Sequence, residues 1–576
     1  MSAPEKRLGR GYLALCLTAL VLYAVLAIGL SLSRAPICDE GWYADPAVSL
    51  ITTGGMGSPV IEGAGTTLQD IAHYTYWVMP LHVLVAAPWY LLFGISLVST
   101  RMLSVAAGLV ALPCWFYVIR KITGDRRIAL IALLLMAVDS NILILASTGR
   151  SDLLSAAFGA AALAAYLSLR EDHLHWALFS GHACAVASGL THPQAGLIAV
   201  PSLLLLQFYY DRHRLRWRQI VPIALPYLIG AAGWSAYILQ SPASFWTQFS
   251  GNSAGRLWPL KDPLLALRRE ITDRFLPAYG MLPDAHRVGK LRICVLIIYV
   301  AAVLGLGWPR AIRRMPGAGI ICGLIAIVLL LLVFLEGAKQ PWYLLHLAWL
   351  LAAAAAASCQ WHTQLRPAWR PVGLVALAAV FLLQTGYAAA LIAQERYASI
   401  YRPVIAVLQQ DMRPGQLVMG SAELGFGLGF DRVLDDANLG YYSGKRADFI
   451  VIDTNYRAHL AELAHTRPAV YNEIESMLAG QYQPAYSNAG YSVYTRIAPV
   501  IASLASCYSA IRLARSHAST CVLLLNRSDV HFYREERLFN ISCVLAHARQ
   551  DTLLRIHHGA AHGAGATFKS GRVRPL

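Results

Sequence analysis

The chain has 576 residues, of which 57% are hydrophobic and 14% charged, with a formal net charge of +16 and a pI near 9.4. Soluble domains run about 45–50% apolar and about 25% charged, so a larger core does not account for this composition and a polytopic membrane protein does. The basic residues lie in short connections between apolar runs, which points to orientation in a bilayer and away from nucleic acid.

The first apolar run follows "MSAPEKRLGR" and reads "GYLALCLTALVLYAVLAIGL". It is long enough to span and lacks a small-residue cleavage site, so it is expected to stay as an uncleaved first span. Ten cysteines are scattered, with Cys16, Cys114 and Cys322 inside apolar runs and no C-x-x-C; neither disulfides nor a metal knuckle is expected. Eleven spans are predicted, at 11–33, 97–119, 128–146, 152–169, 175–190, 194–209, 219–239, 291–308, 318–335, 341–358 and 371–392. The stretch 77–93, with Pro80 and Pro88, is read as lying along the outer surface or re-entering. That choice puts every basic connection on one side: "EKRLGR", "RKITGDRR" (120–127), "DRHRLRWR" (211–218), "PRAIRR" (309–314) and "QLRPAWR" (364–370). By the positive-inside rule this side is cytoplasmic. Loop 240–290 is then outside although it holds seven Lys and Arg residues, as long loops obey that rule poorly.

The chemically suggestive residues then share the outer side. "RAPICDEGWYADPA" (34–47) ends the first span at Pro36 and sets Asp39 and Glu40 side by side, flanked by Trp42 and Tyr43, whose amphipathic rings suit the interface. "STGRSDL" (147–153) carries Arg150 and Asp152; Asp152 is placed to cap the span it opens, which leaves a second role open. Acids from the two loops could hold an acceptor hydroxyl or a divalent cation between them. "LTHPQ" (190–194) holds His192, readable as a core residue, a ligand or a phosphate contact. In "KDPLLALRREITDRF" (261–275) Asp262 caps, Pro263 opens, and Leu264, Leu267, Ile271 and Phe275 share a face, with Arg268, Arg269, Glu270 and Asp273 away from it. This predicts an interfacial helix, either packed on the spans or walling a lipid groove. "EGAKQPWYLLHLAWL" (336–350) puts Lys339 at the outer edge of a span, where an ammonium either snorkels or meets a lipid phosphate. Tyr343 follows on the same face.

Taken in order, these segments resemble the GT-C glycosyltransferases, especially the bacterial branch with aminoarabinose–lipid A transferases and protein O-mannosyltransferases. "DEGWYADPA" is similar to their first outer loop, "TGRSDLLSAAFGAAALAAYLSL" (148–169) to their second acidic site at the head of a span, and "KQPWYLLHL" (339–347) to their outer Lys-x-x-x-Tyr segment. "LLFGISLVSTRMLSVAAGL" (91–109), with Arg101, is a weaker echo, and the match runs through about residues 8–395. The resemblance implies that Asp39 is the base or the acceptor-orienting acid, with Glu40 its neighbour. It implies that Asp152 positions acceptor or sugar and that Lys339 holds the donor phosphate. Relatives carry a basic residue followed by Pro-Pro and aromatics in the first loop. This chain has "IAHYTYWVMP" (71–80), with His73 in the basic position and no such prolines.

The expected reaction moves a sugar from a polyprenyl-phosphate donor to a hydroxyl of a lipid, glycan or protein acceptor, by single displacement with inversion. The expected setting is the outer side of a bacterial inner membrane. No cofactor is implied beyond the open question of a divalent cation, and no nucleic acid partner is expected. The rival reading is a multi-span transporter or flippase of lipid-linked sugar, which would call for charges deep in the spans and often for related halves.

The fold expected is therefore a polytopic α-helical membrane protein, a GT-C-like transmembrane domain over 1–394, with a small extracytoplasmic α/β domain over 395–497. In the latter, 400–411 and 456–479 read as helices, and "GQLVMGSAELGFGLGF" (415–430), "ADFIVIDTN" (447–455) and "YSVYTRI" (491–497) supply strands. The glycine-rich stretch lacks P-loop and G-x-G-x-x-G spacing, which excludes nucleotide binding there. Tyr441 and Tyr442 read as core residues or as glycan contacts. Residues 498–576 read as a basic tail of weak order, with glycosylation triplets at 526–528 and 540–542 that carry no weight in a bacterial chain.

Overall fold

The structure is a computed structural model. It describes residues 3–254, 256, 258–281, 287–365 and 367–497, and four strands between 520 and 555, with backbone only for 3–10 and for those strands. The chain divides into Met1–Arg496 and Ile497–Leu576.

The protein is a multi-pass membrane protein. Among the described residues eight helices are long and apolar enough to cross a bilayer, and nine if one bent pair counts as a single span. The expected spans 175–190 and 194–209 fall on α8 (Leu174–Thr191) and α9 (Pro193–Asp211), which are 18 and 19 residues long but outside those eight. The stretch 77–93 forms α3 (Pro80–Phe93), whose 14 residues reach about 21 Å, short of a bilayer core.

The alternation of ends is visible in single helices. α1 (Ala3–Ser33) begins beside the basic turn 120–127, where Tyr12 donates to the Arg126 carbonyl at 3.0 Å. α4 (Leu97–Thr123) carries Arg101 at one end and Arg120 and Lys121 at the other, about 30 Å apart at 1.5 Å per residue. Gly124, at φ 68, stops α4, and Asp125 caps α5 (Arg126–Val138) through the Arg127 amide at 2.6 Å.

The predicted span 128–146 is broken: α5 and α6 (Ser140–Ala146) meet at 54°. Asp139 sits at the break, fully buried. It accepts from the Asn141 amide (2.9 Å), which starts α6 anew, and from Tyr299 (3.0 Å) and Gln384 (2.9 Å) on other spans. The bend delivers the loop 147–151 to the end of α1.

Loop 240–290 carries the predicted cap, with Asp262 accepting from the Leu265 amide at 3.0 Å. The helix then widens into a π turn at Glu270–Phe275. Leu264, Leu267 and Ile271 are exposed, whereas Glu270 and Arg274 are buried. Glu270 lies away from the apolar face, as the spacing predicts, but of the two placements left open for that face, packing on the spans is not the one found: Leu264, Leu267 and Ile271 look out, and an acid–base pair looks in.

After the last long helix (Arg370–Ile392) a helix at Arg402–Asp411 leads into a five-stranded sheet. Its strands are β1 (Val418–Met419), β2 (Val433–Leu434), β3 (Phe449–Ile452), β4 (Tyr482–Ser487) and β5 (Ser492–Arg496), in the order β2-β1-β3-β5-β4. β1 runs parallel to β2 and β3, and β5 antiparallel to β3 and β4. β2 and β4 are strands that the sequence reading left out. β3 is apolar on both faces because both are covered. Phe449 and Val451 join a core with Tyr43, Ala44 and Ala47 of α2 (Cys38–Thr53) and with Val83 of α3, while Ile450 and Ile452 pack on the helices Thr454–Thr466 and Pro468–Gln481. The first outer loop is therefore part of the α/β core.

In the second unit β6 (Thr520–Leu525), β7 (Val530–Glu535), β8 (Ser542–His547) and β9 (Gln550–Arg555) form a sheet of order β7-β6-β8-β9. The rest of 498–576 lies outside the described residues, and with it the weak order read there, the triplet 526–528 and all of the triplet 540–542 but Ser542.

Candidate active site

α2 lies between the spans and the sheet, and three contacts fix it. Trp42 donates its indole N–H to Asp435 at 2.7 Å. Gly41 passes over Ala422, where a Cβ would collide with backbone. On the membrane side Glu40 binds Arg101. The expectation that Trp42 and Tyr43 face the lipid interface is corrected: Trp42 serves the sheet, and Tyr43 is 7% exposed, within the core.

Glu40 is also corrected as a catalytic candidate. Its Oε1 accepts from Arg101 Nε (2.7 Å) and the Gly149 amide (2.8 Å), and its Oε2 from Arg101 Nη2 (2.8 Å) and the Ile37 amide (3.1 Å). All four acceptor directions are filled and the side chain is buried. Arg101 spends its remaining donor on the Ser31 and Arg34 carbonyls at 2.6 and 2.9 Å. Glu40 ties α1, α2, α4 and the loop 147–151 together; it has no lone pair left for a substrate proton.

Its neighbour Asp39 turns the other way. Asp39 pairs with Arg150 through Oδ2 and Nη1, and Arg150 donates Nε to Asp152 Oδ2 at 2.7 Å. The three residues form a chain, acid–guanidinium–acid, in which Arg150 is 6% and Asp152 2% exposed while Asp39 keeps 19%. Arg150 lies over the rings of Tyr43 (5.4 Å) and Trp342 (5.0 Å), which hold its plane in place. Its loop is pinned by Ser104, which donates to the Thr148 carbonyl (2.8 Å), and by Arg34, which donates to Ser147 and Thr148 (2.9 and 3.1 Å). Asp152 opens α7 (Asp152–Leu169), favourable for an anion at a helix start.

His192 and Tyr343 come to the same place. Their rings sit 5.5 Å apart, and both feel the charge of Asp152. His192 lies between α8 and α9; burial pushes its imidazole down to about 4, against the pull of Asp152, so it is neutral. Tyr343 in turn receives Arg256 Nη1 at 3.5 Å. Arg256 is 36% exposed; it also donates to the Asn252 carbonyl (3.0 Å) and to Asn252 Oδ1 (3.1 Å) and pairs with Glu336 at 3.9 Å.

Two expected residues stay apart from this cluster. His73 is 75% exposed and bonds Asp70 at 2.8 Å, facing solvent. Lys339 neither snorkels nor offers its ammonium to a phosphate. It is 1% exposed, and its three N–H donors go to Glu270 (3.0 Å) and to the Leu332 and Val333 carbonyls (3.1 and 2.6 Å). Glu270 also pairs with Arg274, which pairs with Glu336. Lys339 holds a left-handed backbone, φ 54, to make these bonds, a strain that such a closed network maintains.

Sequence reasoning missed Arg256, Trp342, His82 and His346. His82 and His346 lie beside Asp152 and feel its charge, yet sit in apolar segments with no telling spacing. Among the described residues no three His, Cys, Asp or Glu side chains are arranged to share a metal ion.

No family model matches the sequence, and no curated protein matches it. Solved structures do resemble the fold. ArnT from Cupriavidus metallidurans bound to undecaprenyl phosphate aligns at TM-score 0.54 over 85% of this chain and 99% of its own, at 17% identity. The apo form of that protein gives 0.50 over 85% and 98%, at 16% identity. The chain has the GT-C fold. The oligosaccharyltransferase AglB from Archaeoglobus fulgidus, in complex with an inhibitory peptide and a dolichol-phosphate, is also similar, at TM-score 0.48 and 12% identity over 84% of this chain and 74% of its own. Within the GT-C fold of this chain, the segments that carried the resemblance are the ones that meet at Arg150.

Proposed function

We propose that the protein is a membrane glycosyltransferase that moves a sugar from a polyprenyl-phosphate donor to an acceptor hydroxyl. The carrying observation is the Asp39–Arg150–Asp152 chain, in which one acid is partly open and the other is closed. Asp39 takes the proton as the hydroxyl oxygen attacks the anomeric carbon. The bond from that carbon to the phosphate oxygen breaks, and the lipid phosphate leaves with the electron pair. Charge grows on the phosphate, and Arg256 with the Tyr343 hydroxyl stands where it can be met, in place of the occupied Lys339. Arg150 keeps Asp152 ionised and aimed, and Asp152 orients the sugar. Glu40 is saturated and Asp152 is held through Oδ2 by Arg150 in the role of orienting the sugar, so the reading assigns no covalent nucleophile and takes one displacement with inversion.

Support for the donor class comes from the similar ArnT, solved bound to undecaprenyl phosphate. In this reading residues 1–394 are the membrane catalytic part and 395–497 an outer α/β part that clamps the Asp39 helix. In the same reading the basic connections are cytoplasmic, and the active site and the α/β part lie on the extracytoplasmic side of a bacterial inner membrane. The acceptor is a lipid, glycan or protein hydroxyl.

The test uses membranes containing the full chain and radiolabelled undecaprenyl-phosphate sugar, following loss of label from the lipid. Asp39→Asn should slow that loss about 10²–10⁴-fold, the range for a positioned base, with the protein still folded. Unchanged turnover in Asp39→Asn would remove the assignment. Movement of the labelled lipid across the bilayer without sugar transfer would favour the flippase.

A further inference from the structure

Asp39 is held from two sides. Its Oδ2 pairs with Arg150 of the membrane part, and its Oδ1 accepts from the Cys38 thiol at 3.6 Å. Cys38 Sγ in turn accepts from Asn455 Nδ2 at 3.4 Å, across 417 residues of sequence. Asn455 is the second residue of the helix Thr454–Thr466, which follows β3 in the α/β part, and its side chain is exposed. Asp453 caps that helix by accepting from the Tyr456 amide at 2.7 Å. Tyr456 donates its hydroxyl to Asp435 at 2.7 Å, the same carboxylate that receives the Trp42 indole. Cys38 and Trp42 stand four residues apart on α2, and so on one face. Two neighbouring residues therefore reach that face: Asn455 at Cys38 directly, and Tyr456 at Trp42 through Asp435. Tyr456 and Asp435 are buried, so this inner contact fixes the register in which the outer one is made.

A thiol both gives and accepts. Burial, and after it the acids Glu423, Asp435 and Asp453, push the Cys38 thiol up, so it keeps the proton that it gives to Asp39. The Asn455 N–H occupies one side of the sulfur and leaves the S–H to turn toward Asp39 Oδ1. A carboxylate held at one oxygen still rotates about its Cβ–Cγ bond. Held at both, by Arg150 at Oδ2 and Cys38 at Oδ1, its plane is set. The lone pair left for an acceptor proton is then aimed in one direction, and aim of this kind is what a base contributes beyond its basicity.

We propose that Asn455 is a positioning residue for the transfer: acting through Cys38, it sets the carboxylate plane of Asp39, so that the α/β part aims the base. The proposal rests on the reading of Asp39 as the base and deepens it.

The experiment uses membranes containing the full chain and radiolabelled undecaprenyl-phosphate sugar. It reads kcat, donor KM and the pH profile of kcat for Asn455→Ala, Cys38→Ala, Cys38→Ser and the Asn455→Ala/Cys38→Ala pair. Asn455→Ala and Cys38→Ala should each lower kcat about tenfold, the scale of one hydrogen bond to a charged group, with donor KM and melting temperature near wild type. Loss of the donor to Oδ1 disfavours the ionised carboxylate, so the acidic limb of the kcat profile should move to higher pH in Cys38→Ala. Cys38→Ser, whose hydroxyl also gives and accepts, should restore most of kcat and return the limb. Because Asn455 acts through Cys38, the pair should fall no further than Cys38→Ala alone. Asn455 is exposed, so its variant folds and carries the test even where Cys38→Ala does not. Unchanged kcat in Asn455→Ala, a pair whose loss is the product of the two single losses, or an acidic limb unmoved in Cys38→Ala overturns the proposal; with Asp39→Asn still inactive, the base reading survives each of these. Full turnover in Asp39→Asn overturns the base and takes this inference with it.

Discussion

Two buried charge clusters stand at the ends of spans, and they differ in what they leave undone. In the first, Arg150 joins Asp39 and Asp152, one acid partly exposed and the other with a free oxygen. In the second, Arg274 and Lys339 join Glu270 and Glu336, all within 3% exposure. The second cluster also draws in the backbone carbonyls of Leu332 and Val333 until the ammonium has no donor to spare. A closed network of this kind fixes a loop; an open one waits for a partner. The difference is invisible in residue type, since each cluster reads as acids and bases at a membrane edge. It appears only when the bonds are counted.

The sharpest way to break this comparison is to exchange the two outcomes. Arg150→Met should abolish transfer and also destabilise the protein, because two acids lose their shared cation. Breaking a buried pair in this way costs about 3–5 kcal/mol. Transfer assays and thermal melting in detergent check both parts; transfer above about a tenth of wild type would contradict the placement of Arg150 at the reaction centre.

Lys339→Met should do half of this. It leaves Glu270 with Arg274 alone, so melting falls by an amount similar to other buried-pair breaks, about 3 kcal/mol, while turnover per folded molecule stays near wild type. Combining it with Glu270→Gln should recover part of the loss. A rise in donor KM without a fall in melting temperature would instead place Lys339 at the phosphate. Arg256→Met should give that second pattern, raising KM for the lipid donor about tenfold or more with little change in stability, since exposed charges contribute about 0–1 kcal/mol.

These pairs show what the sequence could reveal. Asp39, Arg150 and Asp152 were legible because each sits where an apolar run ends, and ends of runs on one side must meet. The roles of Glu40 and Lys339 were not, because their partners Arg101 and Glu270 lie 61 and 69 residues away in sequence. Nothing in "DE" tells which acid is saturated. The bend at Asp139 was hidden for a related reason: a single polar residue in an apolar run reads as a blemish until Tyr299 and Gln384 supply its bonds. Three of the five α/β strands were legible from their apolar runs and flanking turns; β2, two residues long, and β4 were not, and β4's "YQPAYS" contains a proline that strand reasoning demotes to an edge. It is indeed the edge of the sheet.

The last effect expected leaves the reaction untouched: a pH dependence of stability from Asp45, buried in the middle of α2. Asp45 accepts from Ser58 (2.8 Å) and the Val60 amide (3.1 Å), yet burial outweighs both bonds and pushes its carboxyl up to about 6. The folded state therefore keeps a proton that the unfolded chain gives up near 3.8. Its contribution to stability is full below about 4 and is lost as pH rises to about 6, a range worth at most about 3 kcal/mol by linkage. Thermal melts between pH 4.5 and 7 should decline more in wild type than in Asp45→Asn, whose amide oxygen still receives both donors and does not titrate. Parallel curves would show that water reaches Asp45 and that α2 is less tightly clamped to the sheet than the Trp42–Asp435 bond requires.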